Sequence, residues 1–291
     1  METEYVKPFL TIEQQLNLLV SRGLIVTNRD MAAEILQTLN YYRFSAYSLT
    51  LRKNDTFAPS ITFENIYELY CFDDELKRLI FKYTSFVEVI FRTHIAHYHA
   101  EKYGPIGYLN YTTFFNPVHH HSFLGTLHKE LKRSKDIFVQ HHKNNHYGIF
   151  PIWVAIEVTT FGDLSKLFKN LLPVDKASIS HKFYTVGWKY IENWLRVCAA
   201  ARNIAAHGGR FYNRVHSTNI KLDKVNREKF SSDLSFSFIF AIYQLLSSEK
   251  LKKEFINEIQ SLFIKFPFSD DSRLGFPKDW DDLLQRQLIL K

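Results

Sequence analysis

The sequence predicts an all-α fold, and three observations lead to that prediction. Apolar residues recur at intervals of three and four over long stretches, which is the period of an amphipathic helix. The chain has only 8 prolines and 10 glycines in 291 residues, so long helices are rarely interrupted. We find no convincing run of alternating apolar and polar residues. Helices packed on helices are therefore the expected architecture.

The first predicted helices are marked by capping residues. Residues 11–23 begin at Thr11, a residue type that caps helix N-termini, and stop at Gly23, which suits a helix end. A second helix is predicted to start at Asn28. The aromatic segment 41–47 is predicted to be irregular and to wedge between helices, with stacking on nucleic-acid bases as the alternative.

The longest predicted helix covers residues 61–104, where the apolar spacing is sustained up to a glycine. A basic helix is predicted over 123–142. A further helix opens with a proline and covers 151–160, and a short one follows over 163–172.

Another helix is predicted over 186–207 and ends at Gly208-Gly209. A final pair, 231–247 and 249–265, precedes a turn-rich, partly acidic tail.

Charge and composition narrow the functional classes. The formal net charge of +7 favours a polyanionic partner. Cys71 and Cys198 are far apart and lack metal-ligand spacing, which predicts a reduced, cytoplasmic chain. The first ten residues lack a signal-peptide pattern, and the apolar run 238–246 is too short to span a membrane. No phosphate-binding glycine loop, HExxH or nucleophile elbow occurs, so no cofactor is expected.

The end of the 186–207 helix carries the most unusual set of polar residues. Asn203 and His207 are one helical turn apart, whereas Arg202 projects about 140° away from His207 and joins them only through its long side chain. Arg196 shares the stripe of His207. The intervening alanines let a second backbone approach closely.

These residue types suit metal-independent cleavage of RNA. In that reaction the ribose 2′-hydroxyl attacks the adjacent phosphate and the 5′-oxygen leaves. An imidazole can transfer either proton, an arginine stabilises phosphate charge, and an amide orients an oxygen. One His207 cannot conveniently act on both sides of the phosphorus, so the geometry predicts a homodimer with a composite site on its two-fold axis.

Several blocks resemble the Abi-like (AbiD/AbiF) abortive-infection proteins of bacteria, and the Arg202-Asn203-x(3)-His207 spacing resembles the signature of HEPN-domain ribonucleases. The blocks are RGLIV (22–26), YYRFSAY (41–47), YELYCFDDELKRL (67–79), FVEVIFRTHI (86–95), FPIWVAIEVTTFGDLSKL (150–167) and RNIAAHGGRFYNR (202–214). This resemblance covers roughly residues 7–216.

The resemblance implies a HEPN-type helical bundle, dimeric pairing of the motif, toxin behaviour in phage defence and RNA as substrate. It implies catalytic roles for Arg202, Asn203 and His207. The tyrosine that follows the histidine by two positions in toxins silenced by nucleotidylation is replaced by Gly209, which argues against control by a nucleotidyltransferase antitoxin. Some members of the family are restrained by a small RNA instead, and the basic surface would suit an RNA antitoxin.

The predicted organisation has three segments. An N-terminal helical segment, residues 1–60, packs on a HEPN-like core, residues 61–230. A C-terminal helical pair and tail, residues 231–291, follows.

Glu88 and Arg92 match the helix that packs beside the motif in the family, so they are expected to support the site or contact RNA. An ordinary surface ion pair is their alternative, because they are four residues apart on one helix. Arg196 is a further candidate for the site, although a structural pair with Glu192 is expected first. Arg210 and Arg214 are the expected phosphate contacts, in a stretch with seven basic residues against two acidic ones, residues 202–229. A solvated charged face is the default reading of such a stretch.

Histidines at 119–121, 141, 142 and 146 suggest a metal site at first sight. Adjacent histidines on an expected loop seldom provide fixed ligand geometry, so no metal is predicted.

Two other classes of function stay open. One is a HEPN module that binds RNA or a protein without cutting, and the other is a helical adaptor that acts through a partner. RNA affinity without cleavage would indicate the first. Growth arrest that persists after substitution of Arg202 and His207 would indicate the second.

Overall fold

The computed structural model describes residues 8–286, and it confirms the all-α class. Within that range the only paired strands are a two-residue hairpin, β1 (Arg52–Lys53) and β2 (Thr56–Phe57). The α-helices of the described chain are α1 (Ile12–Ser21), α2 (Arg29–Thr38), α3 (Tyr41–Tyr47), α4 (Phe63–Tyr103), α5 (Pro117–Arg133), α6 (Ile137–Asn145), α7 (Ile152–Ala155), α8 (Phe161–Asn170), α9 (Pro173–Phe183), α10 (Trp188–Ala206), α11 (Lys224–Lys229), α12 (Ser235–Leu245), α13 (Glu249–Lys265) and α14 (Trp280–Gln285).

Helix α4 is the central helix of the described chain. It has 41 residues, so it is about 60 Å long at 1.5 Å per residue. Thr62 caps its first turn together with Asn65, and Gly104 ends it with a positive φ of 81°. Helices α3, α10, α12 and α13 all contact it, so all three segments predicted from the sequence meet on this helix.

Helix α12 is almost completely buried. Ten of its eleven residues are buried, so it is enclosed by other elements rather than amphipathic. It packs between α4 and α10 and contributes Phe238 and Phe240 to the core. The segment that joins α10 to α12 therefore runs close to α4, and its residues 208–214 belong to the candidate site.

Three local predictions from the sequence were wrong. Residues 41–47 form helix α3, which Asn40 caps through the amide of Tyr42 at 2.8 Å. The single helix expected over 123–142 is two helices, α5 and α6, with a break after Arg133. The expected loop at 119–121 lies inside α5, because Asn116 caps the helix and Pro117 occupies its first position.

Two further differences concern residues 151–183. The predicted helix 151–160 is short: α7 is followed by a 3₁₀ turn at Ile156–Val158. Helix α9 was not predicted from the sequence, although it begins with Pro173 at its first position.

No helix among residues 8–286 is both long and apolar enough to cross a membrane.

Two buried histidines should make the fold sensitive to acid. Burial lowers the pKa of His99 and of His216 to about 4. The unfolded chain binds protons at these positions near pH 6.5, whereas the folded chain does not until about pH 4. The free energy of unfolding should therefore be unaffected by these groups above pH 7 and fall between pH 6.5 and 4, by about 2 kcal/mol per histidine at pH 5.

Urea unfolding at a series of pH values measures this dependence. His216→Gln should reduce the slope of stability against pH in that window. His128→Gln, at an exposed position of α5, should leave the slope as it is. If the unsubstituted protein, His216→Gln and His128→Gln all showed the same slope of stability against pH, the loss of stability in acid would not come from the buried His216 ring.

Candidate active site

Helix α10 is the platform of the candidate site. Its inner face buries residues that include Ile191, Trp194, Leu195, Cys198 and Ala201 against α4, α8 and α12. The predicted span of 186–207 is therefore confirmed to within two residues at the start and one at the end. Because packing fixes one face of α10, the side chains on the opposite face point toward solvent.

Two glycines end α10 at the predicted place. Gly208 has a φ of 64°, a left-handed conformation that glycine adopts without strain. A Cβ on Gly209 would lie 2.9 Å from Cγ2 of Ile204 and 3.2 Å from its carbonyl oxygen. The chain therefore folds back tightly on the last turn, and the Gly209 amide donates to the Ile204 carbonyl at 2.8 Å.

Asn203 and His207 are exposed on the outer face of this last turn. They are one turn apart, and the His207 amide donates to the Asn203 carbonyl at 3.0 Å. Neither side chain has a hydrogen-bond partner among the described residues. Their amide and imidazole groups are therefore accessible to a ligand.

Arg202 is turned toward α4 instead. Its Nη2 lies 3.8 Å from Oε2 of Glu88, whose Oε1 is 2.5 Å from Nη2 of Arg92. Arg92 also donates to the Thr159 carbonyl at 2.7 Å. The structure therefore groups Arg202 with Glu88 and Arg92 and does not bring it beside His207, in agreement with the angle expected from helix geometry.

Glu88 is the centre of this ionic group. All three side chains are largely buried, with 13% of Glu88, 15% of Arg92 and 24% of Arg202 exposed. Burial raises the pKa of Glu88, while the two guanidinium groups act in the opposite direction. The Glu88–Arg92 pair is thus an intrahelical ion pair, but it is largely buried rather than the surface pair of the simpler alternative, and Glu88 also faces the arginine of the motif.

Arg196 does not pair with Glu192, so that prediction was wrong. Glu192 is bound by Lys176 at 2.7 Å, and Arg196 donates to the Asn219 carbonyl at 3.2 Å. Lys176 comes from α9, a helix that the sequence did not reveal. The guanidinium of Arg196 stays exposed on the same side of α10 as Asn203.

The two arginines expected to contact phosphate differ in their surroundings. Arg210 donates to the Ala46 carbonyl, and its guanidinium carbon lies 5.8 Å from the centre of the Tyr47 ring. Arg214 is exposed and donates to the Arg210 carbonyl at 3.2 Å. Arg210 therefore has a packing role against α3, and Arg214 is the more accessible of the two.

Asp73 is a structural residue of the site that the sequence analysis missed. It is fully buried in α4 and accepts hydrogen bonds from the amides of Phe211 and Tyr212 at 2.9 and 2.7 Å. It also accepts from the Tyr47 hydroxyl at 2.7 Å. Burial raises the pKa of this carboxyl. The sequence contained a signal for this role, because Asp73 is a charged residue on the apolar face of α4, beside Phe72 and Leu76.

The charged side chains that line a groove beside α10 are mainly basic. It has a volume of about 410 Å³ and lies between α8 and α10. Its charged residues are Lys166, Lys169, Lys189, Arg196 and Glu192, and Asn203 lines it as well. The exposed face of α10 therefore connects the motif to a positively charged surface.

The histidines outside α10 have varied surroundings. His120 is buried, and its Nε2 is 2.8 Å from the Tyr108 carbonyl. His141 and His146 are exposed, with their Nε2 atoms 3.2 Å apart. In the described part of the chain no group of three or more histidine, cysteine or acidic residues is arranged to hold a metal.

Loss of the Asp73 carboxylate should destabilise the protein strongly. Asp73→Ala leaves two buried amides without an acceptor and removes one of the two carboxylates beside Lys77, so we expect a loss of about 3–5 kcal/mol in urea unfolding. Hydrogen exchange at the amides of Phe211 and Tyr212 should also accelerate.

Glu75→Ala is the matched control for this prediction. Glu75 also lies on α4, is half-exposed and pairs with the exposed Lys265 at 2.9 Å, so its loss should cost less than about 1 kcal/mol. Similar stability losses for the two variants would mean that the hydrogen bonds of Asp73 do not hold the segment.

Comparisons with known proteins identify one family. A sequence model of the family described as Abi-like protein matches residues 34–213, more than half of the chain and the whole of α4 to α10. No curated protein and no solved structure matches the chain. The chain therefore belongs to the Abi-like protein family, and this membership points to abortive-infection defence against phage.

Proposed function

We propose that this protein is a metal-independent endoribonuclease of the HEPN type and acts as a toxin in phage defence. The observation that carries the proposal is the arrangement of Asn203 and His207. They are adjacent, exposed and unpaired within the described chain, at the end of a rigid helix whose outer face leads into a basic groove. Such polar groups on a fixed scaffold are typical of a site that binds and positions a substrate.

The reaction assigned to this site is a transesterification within RNA. The ribose 2′-oxygen loses its proton and bonds to phosphorus, the bond from phosphorus to the 5′-oxygen breaks, and that oxygen takes up a proton. The products are a 2′,3′-cyclic phosphate and a 5′-hydroxyl. His207 transfers a proton, because an imidazole exchanges protons near neutral pH. Asn203 orients the phosphate or the ring.

Arg202 supplies positive charge to the phosphate in this proposal. Its closest carboxylate is Glu88, at 3.8 Å, which is longer than a hydrogen bond. A phosphate oxygen would compete with Glu88 for the guanidinium, whose planar fork matches phosphate geometry. Glu88 and Arg92 act as positioning residues for Arg202.

A second copy of the chain completes the site. A single His207 cannot donate and accept protons on opposite sides of one phosphorus atom, so the other His207 of a two-fold dimer takes the second role. Exposed apolar residues lie on α4 near Glu88, namely Phe86 and Val89, with 38% and 58% exposure. These apolar side chains would be covered in such a dimer. A small RNA that occupies the basic surface would restrain the toxin.

Cleavage should require His207 and no metal. We expect the purified protein to cut single-stranded or structured RNA in excess EDTA and to leave cyclic-phosphate ends. His207→Ala and Arg202→Ala should each reduce the rate by about 100-fold or more. The products are identified by gel analysis of end-labelled RNA and by mass spectrometry.

His128→Ala is the matched control, since His128 is an exposed histidine far along the chain from the motif. It should cut RNA at the rate of the unsubstituted protein. Cleavage that EDTA abolishes, or that persists unchanged in His207→Ala, would refute the proposed chemistry.

One observation favours a second candidate, an RNA-binding module that does not cut. Arg202 lies beside Glu88 on α4, whereas His207 is exposed at the end of α10. One chain alone therefore does not bring the proposed catalytic side chains into contact with one another. RNA affinity without cyclic-phosphate products under any condition would favour that candidate.

A further inference from the structure

Two neighbouring cavities share two lysines of α8. The groove between α8 and α10 contains Lys166 and Lys169, and the same two residues line a second cavity between α5 and α8. Both side chains are exposed. Helix α8 is therefore a ridge with one cavity on each side and two cations along its top.

The groove has an excess of positive charge that is not cancelled within it. Its only lining carboxylate in the described chain is Glu192, which is already paired with the ammonium of Lys176 at 2.7 Å. Lys166 lies 3.7 Å from Asp163 with its side chain 81% exposed, so this contact is weak. The lysines are therefore free to bind an external polyanion.

The cavity between α5 and α8 has a different chemistry. Its volume is about 250 Å³, and its apolar lining comes from Phe114, Phe123 and Leu167. Phe114 and Leu167 are almost fully buried, with 4% and 3% exposure, so they form a floor. Polar groups, including Ser122, Thr126 and the carboxylate of Asp163 beside Lys166, surround it. An apolar floor with a polar and cationic rim suits a flat, uncharged ring attached to an anion.

We propose that these two cavities form one nucleotide-binding track outside the motif. A single strand of RNA places its phosphates along the groove and over Lys166 and Lys169, and it turns one base into the cavity between α5 and α8. This inference rests on the proposed function, because it takes RNA as the substrate and places it on the face of α10 that ends at Asn203 and His207.

The chemistry of the pair of cavities favours a nucleic-acid strand over an acidic protein. A carboxylate-rich peptide would satisfy the lysines, yet it brings no aromatic ring for the floor formed by Phe114 and Leu167. A nucleotide supplies both parts, an anion and a stacking ring, on one repeating unit.

Salt dependence of binding tests the phosphate contacts. The probe is a fluorescent 2′-O-methyl RNA of about 12 nucleotides, which cannot be cut because its 2′-oxygen is blocked. Its affinity for the full chain is measured by anisotropy over a range of salt concentrations. The double variant Lys166→Gln/Lys169→Gln should reduce the slope of log Kd against log salt by about 1.4, since two phosphate contacts are lost.

Lys129→Gln/Lys132→Gln is the matched control for charge. Both lysines are exposed on α5 and lie outside the two cavities. The control should keep the original slope. Equal slopes for the two double variants, or no binding of the probe, would overturn the phosphate track.

A second pair of variants tests the base cavity without a change of charge. Ser122→Trp places a large side chain at the rim of the cavity, whereas His121→Trp adds the same side chain at the next, exposed position of α5, outside the cavity lining. Ser122→Trp should weaken binding of the probe about fivefold or more, and His121→Trp should not. An abasic strand should bind both variants equally.

The remaining outcomes decide against the base cavity. Equal binding of the probe by the two tryptophan variants would show that no base enters it. If poly-glutamate bound the protein and Ser122→Trp weakened that binding as much as it weakened RNA binding, the ligand of the two cavities would be an acidic protein and not RNA. Because the probe cannot be cut, these results do not depend on catalysis: a binding track without cleavage would refute the proposed function alone.

Discussion

The buried carboxylate of Asp73 is the interaction on which the geometry of the candidate site depends. It lies inside the longest helix and accepts two backbone amides from the chain that follows α10, together with the Tyr47 hydroxyl of α3. A buried charge is tolerated only where such donors surround it. One side chain therefore joins α3, α4 and the segment after the motif, and the turn at Gly208 and Gly209 is held on both sides.

Helix α10 combines two tasks because a helix repeats every 3.6 residues. Its inner face is a packed surface against α4, α8 and α12, and its outer face carries Asn203 and His207 into solvent. The same geometry sends Arg202 toward Glu88 on α4. Arg202 and Asn203 are neighbours in sequence, but Arg202 lies against α4 whereas Asn203 faces solvent.

The sequence predicted long elements and their ends better than it predicted contacts between elements. Helix α4 and helix α10 were found within two residues, because their apolar spacing is sustained and glycines follow them. Helix α3 was missed because its aromatic residues are poor helix formers, and its capping by Asn40 and packing on α4 outweigh that propensity. The Glu192–Arg196 pair was wrong because Lys176 arrives from α9, an element that local periodicity did not reveal. Asp73 was overlooked because its partners are 138 and 139 residues away in sequence.

The most direct test of the account is the response of the His207 ring to a bound strand. The chain has 13 histidines, so ¹⁵N-histidine NMR spectra are simple, and His207→Gln identifies the resonance of interest. On titration with a 2′-O-methyl RNA that cannot be cut, we expect the His207 ring nitrogens to shift in proportion to the bound fraction. A His207 signal that stays in place while the protein binds the strand would contradict a site at the end of α10.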